Sequence, residues 1–197
     1  YFEEICSIPH GSRNLQQISD YLVDFAKAHE LKYRQDEDLN VIIWKDGSKG
    51  YEASEPVILQ GHMDMVAVKE ADCDKDMEKE GLDLEINGDY ISAKGTSLGG
   101  DDGIAVAYTL AVLDDEEMAH PPIEAIFTVN EEIGMLGAAT IDVSDLKGRL
   151  FMNMDSEDEG VFTVSCAGGA SVICKIPYET ETVNASVIEI KMTGFAG

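Results

Sequence analysis

Basic residues are scarce in this chain: 14 Lys and Arg stand against 39 Asp and Glu, a formal net charge of -25 at pH 7. Such a field repels phosphate backbones and anionic lipid, which sets aside nucleic acid and membrane surfaces as partners. It favours cations, although most of these carboxylates belong to the solvated surface. Long apolar runs are missing as well, and none approaches the ~18–20 residues a membrane span requires. Cysteine is sparse: Cys6, Cys73, Cys166 and Cys174 are scattered and form no CxxC pair. A disulfide framework and a thiolate zinc site are therefore not expected, and a reducing cytoplasm is the simplest setting. Internal repeats and low-complexity segments are also lacking.

What remains is an ordinary globular composition. With 197 residues, 44% hydrophobic and 27% charged, the chain suffices for one good core, or one core and part of another. Phe2 to Ile8 has helical spacing and stops at Pro9. Ser12 reads as an N-cap for a second helix in which Leu15, Ile18, Leu22, Phe25 and Ala26 recur, ending near His29. Strand-like runs follow at Leu31–Arg34, Val41–Trp44 and Val57–Gln60, the last stopped by Gly61. Lys69 to Lys79 is a charged loop. Leu82 to Ile86 alternates and turns at Asn87-Gly88 into Tyr90-Ile91, a hairpin signal. Beyond a glycine-rich stretch, Ile104–Leu113 reads as an apolar helix and Ile123–Val129 as a strand. A short helix from Ile133 to Ala139 and a strand Leu150–Met154 come next, then β-like runs at Val161–Val164, Ala170–Lys175 and Ser186–Met192. Alternating strands and helices up to Asp155 predict an α/β domain with a mixed, largely parallel sheet flanked by helices. The β-rich tail predicts the opening of a second domain.

Four polar clusters carry the chemistry, each behind a predicted strand or glycine turn: His62-Met63-Asp64, Gly99-Gly100-Asp101-Asp102-Gly103, Asn130-Glu131-Glu132 and Asn153-Met154-Asp155. Ligands at the carboxyl ends of parallel strands converge in one crevice. His62 and Asp64, two apart in extended geometry, share a face, and a carboxylate behind an imidazole is a common support for a metal ligand. One histidine with several carboxylates and no cysteine suits zinc or a similar divalent ion in a catalytic setting. In the adjacent pair Glu131-Glu132, one carboxylate can bind metal while the other faces substrate as a general base. Alone, an Asp-Asp-Gly is most often a turn and a Glu-Glu a solvated pair; their conjunction and order make the signal.

These residues resemble metallopeptidase family M20, and within it the aminoacyl-histidine dipeptidase branch. The resemblance runs through Ser7-Ile8-Pro9-His10-Gly11-Ser12, Leu59 to Val66, Gly95 to Ile104, Phe127 to Met135, Asn153 to Glu157, Cys166 to Gly169 and Gly194 to Gly197. It implies a zinc-peptidase-like fold, with residues 1–168 forming the N-terminal part of the catalytic domain and 169–197 opening an inserted, β-rich lid. It implies two zinc ions, replaceable by manganese or cobalt. Asp101 would bridge them, His62 and Asp155 would complete the ligands of one, and Glu132 would bind the other. Asp64 would hold the His62 imidazole, Glu131 would act as base on a metal-bridging water, and Asp102 would be structural. The implied reaction is hydrolysis of Xaa-His dipeptides such as β-alanyl-histidine by a cytoplasmic enzyme, and the family suggests a homodimer.

The sequence departs from the family in one respect. Members carry a further metal-binding histidine near the end of a much longer chain, after an inserted domain. His10, His29 and His120 lie in the wrong places and read as structural. The chain opens at Tyr1 inside a helical run and closes just behind a strand and a turn glycine. A fragment is expected, one that binds metal incompletely and does not turn over. Two rival readings stay open: another M20 amidohydrolase such as a tripeptidase or aminoacylase, and a metal-binding or assembly module without catalysis. Glu131 argues against the module, since a structural metal site has no use for a base.

Overall fold

Apolar residues at helical spacing put Ile18, Leu22, Phe25 and Ala26 on one face of α2 (Gln16–Ala28), and all four are buried. The computed structural model describes residues 1–156, 160–166, 168–169, 172–182, 186 and 188–193. The other elements are α1 (Phe2–Cys6), β1 (Lys32–Gln35), β2 (Val41–Lys45), β3 (Val57–His62), β4 (Leu84–Asn87), β5 (Tyr90–Ala93), α3 (Gly100–Asp114), β6 (Ile123–Thr128), α4 (Leu136–Thr140) and β7 (Leu150–Asn153). No helix among the described residues is long and apolar enough to cross a membrane.

The strands β1-β2-β6-β3-β7 form one mixed sheet in that order, and β4 and β5 form a separate hairpin. β3 runs parallel to both β6 and β7, while β2 is antiparallel to β1 and β6. Strand alternation divides the apolar residues between two faces. Val41, Ile43, Leu59, Ala125 and Phe127 meet α2 and α3 side chains such as Leu22, Phe25, Val106 and Leu110. On the opposite face Ile42, Ile58 and Ile126 pack with Trp44, Ile141 and Leu146. All six residues of β6 are buried, including Glu124. A buried carboxylate needs donors, and Glu124 accepts the main-chain N–H groups of Lys147 at 3.0 Å and Gly148 at 2.9 Å. This anchors the approach to β7.

Register brings the strand ends together. His62 pairs with Thr128, and Gln60 with Asn153, so the carboxyl ends of β3, β6 and β7 finish at one edge of the sheet. The loops that leave them carry three of the four polar clusters.

Three expectations need correction. β3 does not stop at Gly61 but runs through it to His62, because the glycine lets α3 approach. A Cβ there would lie 2.8 Å from Asp102 Oδ2 and 2.9 Å from Ala105 Cβ. Gly61→Ala is expected to destabilise the chain by about 1–3 kcal/mol, the usual cost of overpacking, measured as a lower urea midpoint at unchanged slope. Secondly, Ser12 is no helix cap. α2 begins at Gln16 behind Leu15, with no side-chain cap, because the Ser12 hydroxyl is engaged elsewhere. Thirdly, Val161–Val164 has no strand partner among the described residues; Phe162 and Val164 are 85% and 98% exposed, and a strand without neighbours is not stable. The runs expected at Ala170–Lys175 and Ser186–Met192 lie partly outside the described residues.

The chain divides into two compact units, Tyr1–Glu159 and Gly160–Gly197. The first holds every helix and strand found among the described residues. In the second, no described residue belongs to a helix or strand.

Candidate metal centre

Each loop at the sheet edge delivers one part of a single cluster. His62 ends β3 with its side chain almost wholly buried, and Asp64 follows it, also buried. The turn after β6 carries Asn130, at φ 54°, and then Glu131 and Glu132. Asp155 follows β7. Asp101 and Asp102 open α3 behind Gly99, whose φ of 67° is left-handed, a conformation glycine adopts without steric cost. The two aspartates have non-helical backbone angles and a cis peptide between them, and their side chains part company. Asp102 is buried, and its Oδ2 accepts the main-chain N–H of His62 at 3.1 Å. Asp101 is exposed, with its Oδ1 3.1 Å from His62 Nε2.

His62 is the hub. Its Nδ1 lies 2.9 Å from the main-chain carbonyl of Asp64 and 3.5 Å from the Asp64 carboxylate. A carbonyl only accepts, so Nδ1 carries the hydrogen and Nε2 is turned to the crevice. Around Nε2 lie Asp101 at 3.1 Å, Glu131 at 3.8 Å and Asp155 at 3.9 Å. Asp64 is itself held: Oδ1 accepts the Glu131 N–H at 3.0 Å and Oδ2 the Ser12 hydroxyl at 2.8 Å.

This crowding shifts the titrations of the cluster. Burial pulls the His62 imidazole down, but Asp64, Asp102 and Asp155 outweigh it and raise its pKa to about 10. Burial pushes Asp102 up to about 7, against the pull of His62. Glu131 and Glu132 are also raised, by burial first and then by neighbouring carboxylates. Asp64 goes the other way: burial opposes ionisation, but its hydrogen bonds and His62 hold it ionised. Displaced pKa values around one crevice are characteristic of functional sites.

Two sets of ligand atoms come within 4.8 Å of one another, one from His62, Glu131 and Glu132, the other from His62, Asp102 and Asp155. Ligands about 2.0–2.2 Å from a zinc ion lie up to about 4.4 Å apart, so either set would hold a divalent cation after a side-chain shift of a few tenths of an ångström. Of the residues singled out from sequence, His62, Glu132 and Asp155 fall in these sets. Asp101 touches His62 but joins neither, whereas Asp102, taken as structural, joins the second. Glu131, taken as a base, joins the first. His10, His29 and His120 lie in neither; their Nδ1 atoms meet the Ile8 carbonyl, Asp114 and the Pro121 carbonyl respectively. Ser12 carries no local signal of a role here, because its bond to Asp64 spans 52 residues.

No family model matches the chain. It is 38% identical over 192 residues to the cytosol non-specific dipeptidase of Escherichia coli, covering 98% of this chain and 40% of that protein. The crystal structure of aminoacylhistidine dipeptidase from Vibrio alginolyticus superposes with a TM-score of 0.78 at 42% identity, over 81% of this chain and 32% of that one. A tripeptidase from Staphylococcus aureus shares the fold at 24% identity, with a TM-score of 0.66 over 80% of this chain and 42% of that one. The chain therefore spans well under half the length of these relatives. Similarity along nearly its whole length, on the same fold, bears out the resemblance of this chain to metallopeptidase family M20.

Proposed function

We propose that this chain is the metal- and base-bearing part of a dipeptidase that hydrolyses Xaa-His dipeptides of the β-alanyl-histidine type. The observation that carries the reading is His62 Nε2 facing Asp101, Glu131 and Asp155 within 3.9 Å at the carboxyl edge of the sheet. The dipeptidase relatives support a dipeptide substrate, and the aminoacylhistidine dipeptidase among them supports histidine as its second residue.

Two zinc ions, or manganese or cobalt in their place, would be held by His62 and Asp155 on one side and Glu132 on the other, with Asp101 available to both. Asp102 is close enough to serve beside them. When bound, the ions supply the Lewis acidity that makes water a nucleophile at neutral pH and steadies charge on the carbonyl oxygen. The protein's own part is proton management. Asp64 fixes the His62 tautomer so that Nε2 is presented to the crevice. Glu131 takes the proton from the attacking water and delivers it to the leaving amine. Burial first, and then the neighbouring Asp155, Asp64 and Asp101, raise its pKa above the ordinary glutamate value, which strengthens it as a base. Residues 1–168 would belong to the catalytic domain and 169–197 to a lid, in a cytosolic and dimeric protein.

The test is hydrolysis of a dipeptide panel by the full-length zinc-loaded protein, with β-alanyl-histidine and a tripeptide included. Cleavage of Xaa-His substrates that stops on chelation is expected. Zinc bound at stoichiometry with no peptide cleaved overturns the reading.

A further inference from the structure

We infer that Ser12 is a positioning residue of the metal centre, tying the loops after β3 and β6 together through the Asp64 carboxylate. The inference rests on the function proposed above for His62 and Glu131.

The segment before α2 is stitched to both loops. The His10 carbonyl accepts the Met65 N–H and Ser12 donates its own N–H to the Met65 carbonyl, each at 3.2 Å. Gly11 and Met65 form a parallel bridge. Next to these, the Arg13 main-chain N–H donates to Asn130 Oδ1 at 2.8 Å. Arg13 and Asn130 both sit in the left-handed region, at φ 71° and 54°, so the contact joins two sharp turns. Between the turns lies Asp64, whose side chain has no solvent exposure. Its two oxygens are divided: Oδ2 takes the Ser12 hydroxyl, and Oδ1 takes the Glu131 N–H while lying beside His62 Nδ1.

That division fixes the carboxylate plane. A buried carboxylate that loses a donor rotates or draws in another group, since water cannot replace it cheaply. With Ser12 shortened to alanine, Oδ2 loses the hydroxyl that holds it, and Oδ1 is free to leave both Glu131 and His62. Ser12 thus acts on the centre through Asp64, touching neither the proposed ligands nor the base. Groups in this supporting role typically cost about 10–100-fold in metal affinity when removed.

The full-length protein and its Ser12→Ala, Ser12→Thr, Arg13→Gly and His62→Ala variants give two independent readouts. The first is hydrogen exchange at the Glu131 amide without metal; the second is cobalt(II) affinity and its visible spectrum. Ser12→Ala is expected to speed Glu131 exchange about tenfold or more while β6 amides keep their protection, and to weaken cobalt binding about 10–100-fold with an altered spectrum. Ser12→Thr restores both. Arg13→Gly, which keeps the N–H and favours φ 71°, leaves both unchanged. Ser12→Ala with exchange and cobalt affinity as in the wild type overturns the inference. So does faster exchange with undiminished cobalt affinity, or a loss that threonine does not rescue. Cobalt uptake that survives His62→Ala sinks the proposed function instead, and the Glu131 exchange, which needs no metal, separates that result from a failure of Ser12.

Discussion

On the proposed function, Glu131→Gln in the full-length protein is expected to lower kcat on an Xaa-His dipeptide by about 10²–10⁴-fold, the span general acid–base groups contribute, and to leave zinc content unchanged. Glutamine keeps the size of the side chain and leaves the Glu131 N–H bond to Asp64 in place. It cannot accept a proton. Two carboxylates leave β6 side by side, and the same substitution at Glu132 is expected to act differently, by lowering zinc content. The cluster of His62, Glu131 and Glu132 makes this contrast informative, because geometry alone admits either glutamate as a ligand. Atomic absorption on both variants, beside steady-state kinetics, assigns the roles. Glu131→Gln with normal turnover, or with zinc lost in proportion to activity, would remove Glu131 as the base.

Much of this centre is legible in the residues alone. Periodicity, apolar runs and the punctuation of glycine and proline predict each helix and strand of the first unit, although α3 begins earlier, at Gly100, and α4 later, at Leu136, than the residues alone indicate. Polar clusters at strand ends then predict a crevice, since parallel strands β3, β6 and β7 must end together. Sequence is less informative where one residue's role depends on a distant partner. A serine ahead of an apolar helical run is a reasonable cap, and only tertiary structure shows the Ser12 hydroxyl spent on Asp64. Gly61 reads as a strand end for the same reason: close approach by α3 is invisible in a local window. Asp101 and Asp102 have identical side chains, so nothing local separates the exposed one at Nε2 from the buried one on the His62 N–H. The run Val161–Val164 has β-forming residues, but such a run makes a strand only where a neighbour exists to pair with it, and none does among the described residues.

Zinc binding to the metal-free chain is expected to release protons and to tighten as pH rises. The His62 pKa of about 10 means that its Nε2 is protonated at neutral pH when no metal is present. A ligand nitrogen must give that proton up. Affinity therefore rises about tenfold per pH unit for each proton released, through the whole range between pH 6 and 8. Asp102, raised to about 7, adds a second proton in the lower part of that range if it joins the ligands. Calorimetry at pH 7 in buffers of different ionisation enthalpy counts these protons, and His62→Ala should lose one along with most of the affinity. An affinity flat from pH 6 to 8 would show that His62 is neutral in the metal-free chain. The same shifts govern stability. Both groups have folded pKa values above their unfolded ones, so the contribution of each is fully present below its unfolded pKa. Asp102's is lost as pH rises from about 4 through about 7, and His62's from about 6.5 through about 10. The metal-free chain should accordingly weaken steadily as pH rises, whereas zinc binds more tightly in the same direction. The gap between metal-free and zinc-bound melting temperatures then widens with pH, because one histidine surrounded by carboxylates must hold either a proton or a cation.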